Sequence, residues 1–158
     1  MLIKGSCSCG AVKFSVKAYA PVPYLRCYCS ICRKTAGGGG YAINLGAKSA
    51  TLKVTGARNI TVFHARIAGK KSRGERRFCK RCGSALWVYD PGWPDLVHPF
   101  ASAIDTKLPV PPENVHMMLE SKANWVKVEG KKGDKRCRLY PRQSLEAWHR
   151  AHGLLSKT

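Results

Sequence analysis

Seven of the eight cysteines in this 158-residue chain fall into three tight groups: Cys7 with Cys9, then Cys27, Cys29 and Cys32, then Cys79 with Cys82. Whatever fold the chain adopts must bring these sulfurs together or leave many reactive thiols unexplained. A disulfide network, buried apolar thiols and metal ligation are the three ways to accommodate such a density. Met1 to Cys7 reaches a polar, cysteine-bearing segment at once, without the apolar stretch of a secretory signal, and no run approaches the ~18 apolar residues of a membrane span. A cytoplasmic location is therefore expected. There glutathione keeps thiols reduced, and closely spaced cysteines point to metal.

Tetrahedral structural zinc takes four thiolate or imidazole ligands, and a working zinc keeps one position open. A partition of four plus three follows naturally. Cys79-Lys-Arg-Cys82 followed by Gly83 looks like half of a zinc ribbon and needs a second pair, which Cys7 and Cys9 can supply from an early strand. Cys27, Cys29 and Cys32 then form a three-thiolate site from a single loop. A binuclear cluster with shared thiolates would use the same residues.

The rest of the chain reads as short strands punctuated by Gly and Pro. Val12, Phe14 and Val16 alternate with polar residues at the two-residue period of a half-buried strand. Leu52 with Val54, then Ile60 with Val62, repeat the pattern around a turn at Thr55–Asn59. Ala85–Tyr89 is a third apolar run, stopped by Asp90-Pro-Gly-Trp-Pro94. Phe100–Ile104 and Val115–Leu119 are further strand candidates, separated by the Pro-rich loop Leu108–Pro112. The only strong helix signal is late: Ser144 can cap a short helix carrying Leu145, Trp148 and Ala151, with Gly153 at its end. Gly37–Gly40 lacks the spacing of a phosphate-binding loop and reads as a flexible or closely packed turn after a metal knuckle. With a 44% hydrophobic fraction, the expectation is a mostly β globular domain with a short C-terminal helix.

Gly5-Ser-Cys-Ser-Cys-Gly-Ala-Val12, Cys27-Tyr-Cys-Ser-Ile-Cys-Arg-Lys34 and Phe78-Cys-Lys-Arg-Cys-Gly-Ser84, in that order, resemble the glutathione-dependent formaldehyde-activating enzyme family, which also includes centromere protein V. Val115–Trp125 is similar to that family's C-terminal segment. The resemblance implies an Mss4-like, zinc-stabilised β-sheet fold over residues 1–133, with residues 134–158 a basic extension carrying the short helix. It implies two Zn2+ sites, structural at Cys7, Cys9, Cys79 and Cys82, and catalytic at Cys27, Cys29 and Cys32. It also implies a carbon–sulfur lyase activity, the addition of glutathione to formaldehyde to give S-(hydroxymethyl)glutathione and its reversal.

The ligand chemistry agrees with that activity. Three thiolates leave a divalent zinc at net −1 and weaken it as a Lewis acid relative to a three-histidine zinc. Such a centre suits an exchangeable thiol better than hydrolysis, and a metal-bound thiol is deprotonated and nucleophilic. The charge of +19 permits nucleic acid, acidic membrane surfaces or small anionic substrates such as glutathione and selects none of them. Arg26, Arg33 and Lys34 flank the three-cysteine motif as candidate carboxylate contacts, and Glu120, Ser121, Lys122 and Trp125 are weaker candidates. Trp87, Tyr89 and Trp93 can wall a pocket or pack as a strand-end cluster. His98 and His116 are candidates for proton transfer, for completing the second zinc, or for a structural role, and Asp105 for substrate contact or a turn. Cys137, among cations, is expected not to be a ligand. Alternative readings keep the same cysteines. One is a zinc-stabilised nucleic-acid-binding module using Arg66, Lys70, Lys71, Arg73, Arg76, Arg77, Lys80 and Arg81, with a second basic stretch at Lys127–Arg142. The other is a zinc enzyme acting on a different small carbonyl or imine compound.

Overall fold

The computed structural model describes residues 1–36 and 38–155. In chain order the strands are β1 (Leu2–Ser6), β2 (Lys13–Lys17), β3 (Tyr24–Cys27), β4 (Ala42–Asn44), β5 (Ala47–Lys48), β6 (Lys53–Thr55) and β7 (Ile60–Phe63). They continue as β8 (Arg66–Ile67), β9 (Lys70–Lys71), β10 (Glu75–Cys79), β11 (Ala85–Tyr89), β12 (Leu96–Pro99), β13 (Asn114–Met117) and β14 (Lys135–Arg136). Two helices accompany them, α1 (Ser30–Ala36) and α2 (Leu145–Ala151). The fold is mostly β.

Three sheets position the cysteines. An antiparallel sheet of order β1-β2-β6 packs against a five-stranded antiparallel sheet of order β5-β12-β11-β10-β7. Their shared core holds Ile3, Val12, Phe14, Val16, Leu86, Trp87 and Val97, all buried. Phe14 and Trp87 meet edge to face with centroids 5.1 Å apart, worth about 0.5–1.5 kcal/mol beyond the area they bury. The alternation Lys13-Phe14-Ser15-Val16-Lys17 is the cause: its apolar members all fall on the face turned to the second sheet. The third sheet, β14-β13-β3-β4, is mixed, with β3 and β14 both parallel to β13. Leu25, Cys27, Cys32, Ala42, Phe100, Val115 and Met117 form a second core between it and the five-stranded sheet.

The C-terminal residues are stitched into this frame. Lys135 and Arg136 pair with Val115 and His116. Ser144 caps α2 by accepting from the Ala147 N–H at 3.1 Å. Buried His149 donates from Nε2 to the Val22 carbonyl at 2.6 Å, and the Trp148 indole donates to Glu113 at 2.6 Å.

Four local expectations are corrected. Leu52–Val54 and Ile60–Val62 do not pair as a hairpin, because β6 joins β2 while β7 joins β10. The turn between them is drawn elsewhere: Asn59 Nδ2 donates to the Ala11 carbonyl at 3.2 Å. Phe100–Ile104 is not a strand, since β12 ends at Pro99 and Ala101–Ala103 forms a 3-10 turn closed by the Ala103 N–H on the Phe100 carbonyl. Val115–Leu119 is a strand only as far as Met117, and Met118 turns left-handed at φ 60°. A second helix, α1, carries Cys32 where an irregular loop was expected. Ile31, Thr35 and Cys32 are mediocre helix formers, and Cys29, just ahead of the helix, supplies a cap that propensity does not count. The Cys29 carbonyl accepts from the Arg33 N–H at 2.9 Å and the Cys29 sulfur from the Cys32 N–H at 3.3 Å. In the glycine run, Gly37 lies outside the described residues, while Gly40 is closely packed: a Cβ there would stand 2.2 Å from Val126 Cγ2.

Candidate metal centres

Each arm of the first cluster is a strand end followed by a tight turn. Cys7 follows β1, and its carbonyl accepts from the Gly10 N–H at 3.0 Å. Cys79 ends β10, and its carbonyl accepts from the Gly83 N–H at 2.8 Å. Both glycines sit at φ 73°, the left-handed conformation that L side chains avoid. The two turns therefore aim Cys7 and Cys9, and Cys79 and Cys82, at one point, and all four sulfurs lie within 4.8 Å of one another. Cys7 and Cys79 are buried, Cys9 and Cys82 exposed. Neutral groups surround these sulfurs: the Val12 N–H reaches Cys7 at 3.2 Å and the Ser84 hydroxyl lies 3.2 Å from Cys82. That hydroxyl is the main reason the Cys82 thiol is drawn down to about 5.

The second cluster comprises Cys27 at the end of β3, Cys29 in the connection and Cys32 within α1, again with sulfurs inside 4.8 Å. Cys27 and Cys32 are buried and Cys29 is partly open. Hydrogen bonds from the Cys27 and Cys32 thiols and from the Cys32 N–H hold Cys29 down to about 2, so it is the natural thiolate of the set. Contact with Cys29 and Cys32 pushes Cys27 up.

Both clusters fit zinc. Tetrahedral coordination at a Zn–S bond of about 2.3 Å sets sulfurs about 3.8 Å apart. The separations are 3.6 Å for Cys7–Cys9, 3.8 Å for Cys9–Cys79 and 3.5 Å for Cys27–Cys29. A disulfide needs about 2.04 Å, and all eight cysteines are free thiols.

Behind the second cluster lies a buried polar chain. Tyr28, between two ligand candidates, donates its hydroxyl proton to His116 Nδ1 at 2.9 Å, and His116 Nε2 donates to Asp134 Oδ2 at 3.2 Å. The direction follows from Asp134 offering only acceptors. Asp134 also accepts from the N–H groups of Asn114 at 2.8 Å and Lys131 at 3.1 Å. Burial would raise the Asp134 pKa, and these bonds outweigh it and hold it below the usual carboxylate range. Burial lowers His116 despite its acidic partner. Asp134→Ala would strand three donors on buried residues, the Asn114 N–H and Nδ2 and the His116 Nε2, at a cost of about 3 kcal/mol and a melting temperature roughly 6–12 °C lower. The signs of both shifts make the native state lose stability toward acid. A neutral buried His116 weakens it below about pH 6.5, and Asp134 adds to the loss as pH falls below about 4. Thermal melts of wild type and Asp134→Ala across pH check both.

The remaining candidates scatter. Arg26 stands over the Tyr41 ring, 5.2 Å from its centroid, and Tyr41 packs on Tyr28. Arg33 is half-buried with Nε unpartnered, and Lys34 is exposed. Lys122 is committed to the Ala123 and Val126 carbonyls, Glu120 pairs with Arg138, and Trp125 is exposed beside Gly40. Ser121 and Asp105 are exposed. His116 belongs to neither cysteine cluster. Cys137 stays outside both ligand sets but packs on the core containing Cys27 and Cys32. Trp87 and Tyr89 line a groove of about 500 Å³ that contains no cysteine, and Trp93 is exposed away from it.

Two neighbours of the three-cysteine site escaped the sequence reading. Directly opposed residues in a sheet share a face, so Arg76, across from Val88 and Phe63, faces the second core while Arg77 faces the groove. Both Arg76 Nη1 and Nη2 lie 3.7 Å from Cys32 Sγ. The run of eight cations is thus divided: Arg66, Lys70, Lys71 and Arg73 form or flank the exposed β8–β9 hairpin, and Arg76 turns inward. Tyr140 is the second: it is 63% exposed, and partial burial of the phenol, then the charge of Cys27, Cys29 and Cys32, pushes it up. A period-two reading of β10 would have separated Arg76 from Arg77. Nothing local marks Tyr140.

Comparison with known proteins follows the same residues. A sequence model of the family described as glutathione-dependent formaldehyde-activating enzyme matches residues 2–136. A Halomonas elongata protein, provisionally named a glutathione-dependent formaldehyde-activating enzyme, is 58% identical over 154 residues, which cover 98% of each chain. A crystal structure of a Rhodobacter sphaeroides protein superposes with a TM-score of 0.53 at 28% identity, covering 67% of this chain and 91% of that one. Among the described residues, no helix is long and apolar enough to cross a membrane.

Proposed function

This chain belongs to the glutathione-dependent formaldehyde-activating enzyme family, and from that premise we propose that it joins the glutathione thiol to the carbonyl carbon of formaldehyde in a zinc-dependent step and catalyses the reverse carbon–sulfur cleavage. The observation that carries this reading is the inequality of the two sulfur sets, one with four members and one with three. Cys7, Cys9, Cys79 and Cys82 would hold a structural zinc, and Cys27, Cys29 and Cys32 a catalytic one. A zinc ion in the three-cysteine site supplies an exchangeable position that favours an added thiol in its deprotonated form.

The chain's own groups do the rest. The buried Cys27 and Cys32 sulfurs and the Tyr28–His116–Asp134 chain fix the site against β13, so little reorganisation accompanies ligand entry. Arg33 and Lys34, next after Cys32 on α1, place positive charge beside it that draws the glutathione carboxylates, while Arg26 lies on the opposite face of β3 over Tyr41. As the sulfur–carbon bond forms, the carbonyl electron pair moves to oxygen, and the proton lost by the thiol ends on that oxygen as the hydroxymethyl group. Tyr140 is the candidate to hand over that proton: its largely exposed side chain carries a phenol that partial burial, then the charge of the three sulfurs, keeps protonated.

Two-dimensional exchange NMR of a glutathione and formaldehyde mixture tests the assignment. Zinc-loaded protein is expected to raise the exchange rate between free and hydroxymethylated glutathione at least ~10²-fold per site over buffer, on the scale of general acid–base and proximity effects. No acceleration, with both sites loaded, would move the assignment to another small carbonyl or imine compound.

A further inference from the structure

We propose that Arg76 is the residue that lets the three-cysteine site accept an anionic sulfur as its fourth ligand, by balancing charge through Cys32. The inference rests on the zinc reading of that site, but not on glutathione or formaldehyde being its substrates.

Three thiolates and a divalent ion sum to −1, and a fourth thiolate takes the sum to −2. In the half-buried setting of Cys27, Cys29 and Cys32, that second negative charge is poorly screened by solvent. A cation in contact with the sulfurs restores the balance. Among the described residues, Arg76 is the one cation with nitrogens within hydrogen-bonding reach of these thiols, and it presents both Nη1 and Nη2 to Cys32 Sγ at 3.7 Å. The Asn44 amide adds a neutral donor to the same sulfur at 3.9 Å.

Two further observations bear on this charge. No carboxylate pairs with Arg76 among the described residues, although Glu75 is its chain neighbour, because the alternation of β10 sends Glu75 to Arg77 on the opposite face. At the four-cysteine cluster, by contrast, the donors among the described residues are neutral, the Val12 N–H at Cys7 and the Ser84 hydroxyl at Cys82, and Cys9 and Cys82 are exposed. The cation therefore stands at the open site and not at the closed one.

Arg76 touches no substrate in this account and acts as a positioning residue through Cys32. Its test must separate charge from packing. Cobalt-substituted wild type, Arg76→Gln and Arg76→Lys are titrated with 2-mercaptoethanol, which binds as an anion, and with imidazole, which binds neutral, following the cobalt–sulfur charge-transfer and visible bands. Arg76→Gln is expected to weaken thiol binding by about 10-fold or more while changing imidazole binding less than about 3-fold, and Arg76→Lys to recover most of the loss. Equal weakening for both probes, or no change for either, overturns the proposal. If Arg76→Gln takes up cobalt only in the four-cysteine site while Arg76→Lys fills both, the charge requirement holds at metal binding itself. If neither variant fills the three-cysteine site, the guanidinium is a packing element and the proposal fails. A wild-type protein that takes up no cobalt at Cys27, Cys29 and Cys32 would instead overturn the zinc reading on which this rests.

Discussion

Cys79→Ser is expected to yield a chain that does not fold. Cys79 is fully buried at the end of β10, where the five-stranded sheet brings its sulfur within 4.8 Å of those on the turn following β1. Binding of structural zinc is worth roughly 10–16 kcal/mol in small zinc domains, comparable with or larger than the ~5–15 kcal/mol that separates a whole native domain from its unfolded state. A serine oxygen is a poor replacement for a thiolate ligand. It would also leave three thiols and a hydroxyl beside Val12 and Phe14 with no ion to organise them. Loss of near-ultraviolet circular dichroism, together with the disappearance of both metal ions from the purified chain, is the expected result. A Cys79→Ser protein with a native melting transition would show that the four-cysteine cluster does not hold the fold together.

Cys29→Ser should do the opposite. Cys29 is the partly open member of its set and the one held most firmly as a thiolate. Its removal leaves the Leu25, Phe100, Val115 and Met117 core and the Tyr28–His116–Asp134 chain in place. The variant is expected to fold with stability within about 2 kcal/mol of wild type, the usual range for a single substitution, and to carry one metal ion per chain instead of two. Exchange between glutathione and its hydroxymethyl adduct should fall at least ~10²-fold, to the rate in buffer, since two ligands do not hold a working zinc. Equal sensitivity of fold and activity in Cys29→Ser and Cys79→Ser would erase the distinction between the sites.

The two sulfur clusters were legible because residues that could share a metal ion need short spacings, and such spacings survive in one dimension. So did Ala85–Tyr89, whose apolar run and Pro-Gly stop are local, and α2, whose Ser144 cap lies just ahead of its helix. The misreadings share a cause. Leu52–Val62 looks like a hairpin locally, but β6 pairs with Lys13–Ser15 of β2 and β7 with Arg76–Cys79 of β10, in different sheets. α1 exists because Cys29 accepts two of its N–H groups, an anchor that propensity does not register. His116 read as one of two isolated histidines, because its partners Tyr28 and Asp134 are 88 and 18 residues away and meet it only through the parallel pairing of β3 and β13 and the turn before β14. Arg76 disappeared into a basic run whose members point to opposite faces of one strand.

Cadmium-113 NMR of fully loaded protein, before and after a small thiol is added, tests the central inequality most directly. Two resonances are expected per chain, of which the one lost in Cys29→Ser moves on thiol addition while the other holds its position. Two resonances that both ignore the thiol, or a single shared signal, would contradict a closed site beside an open one.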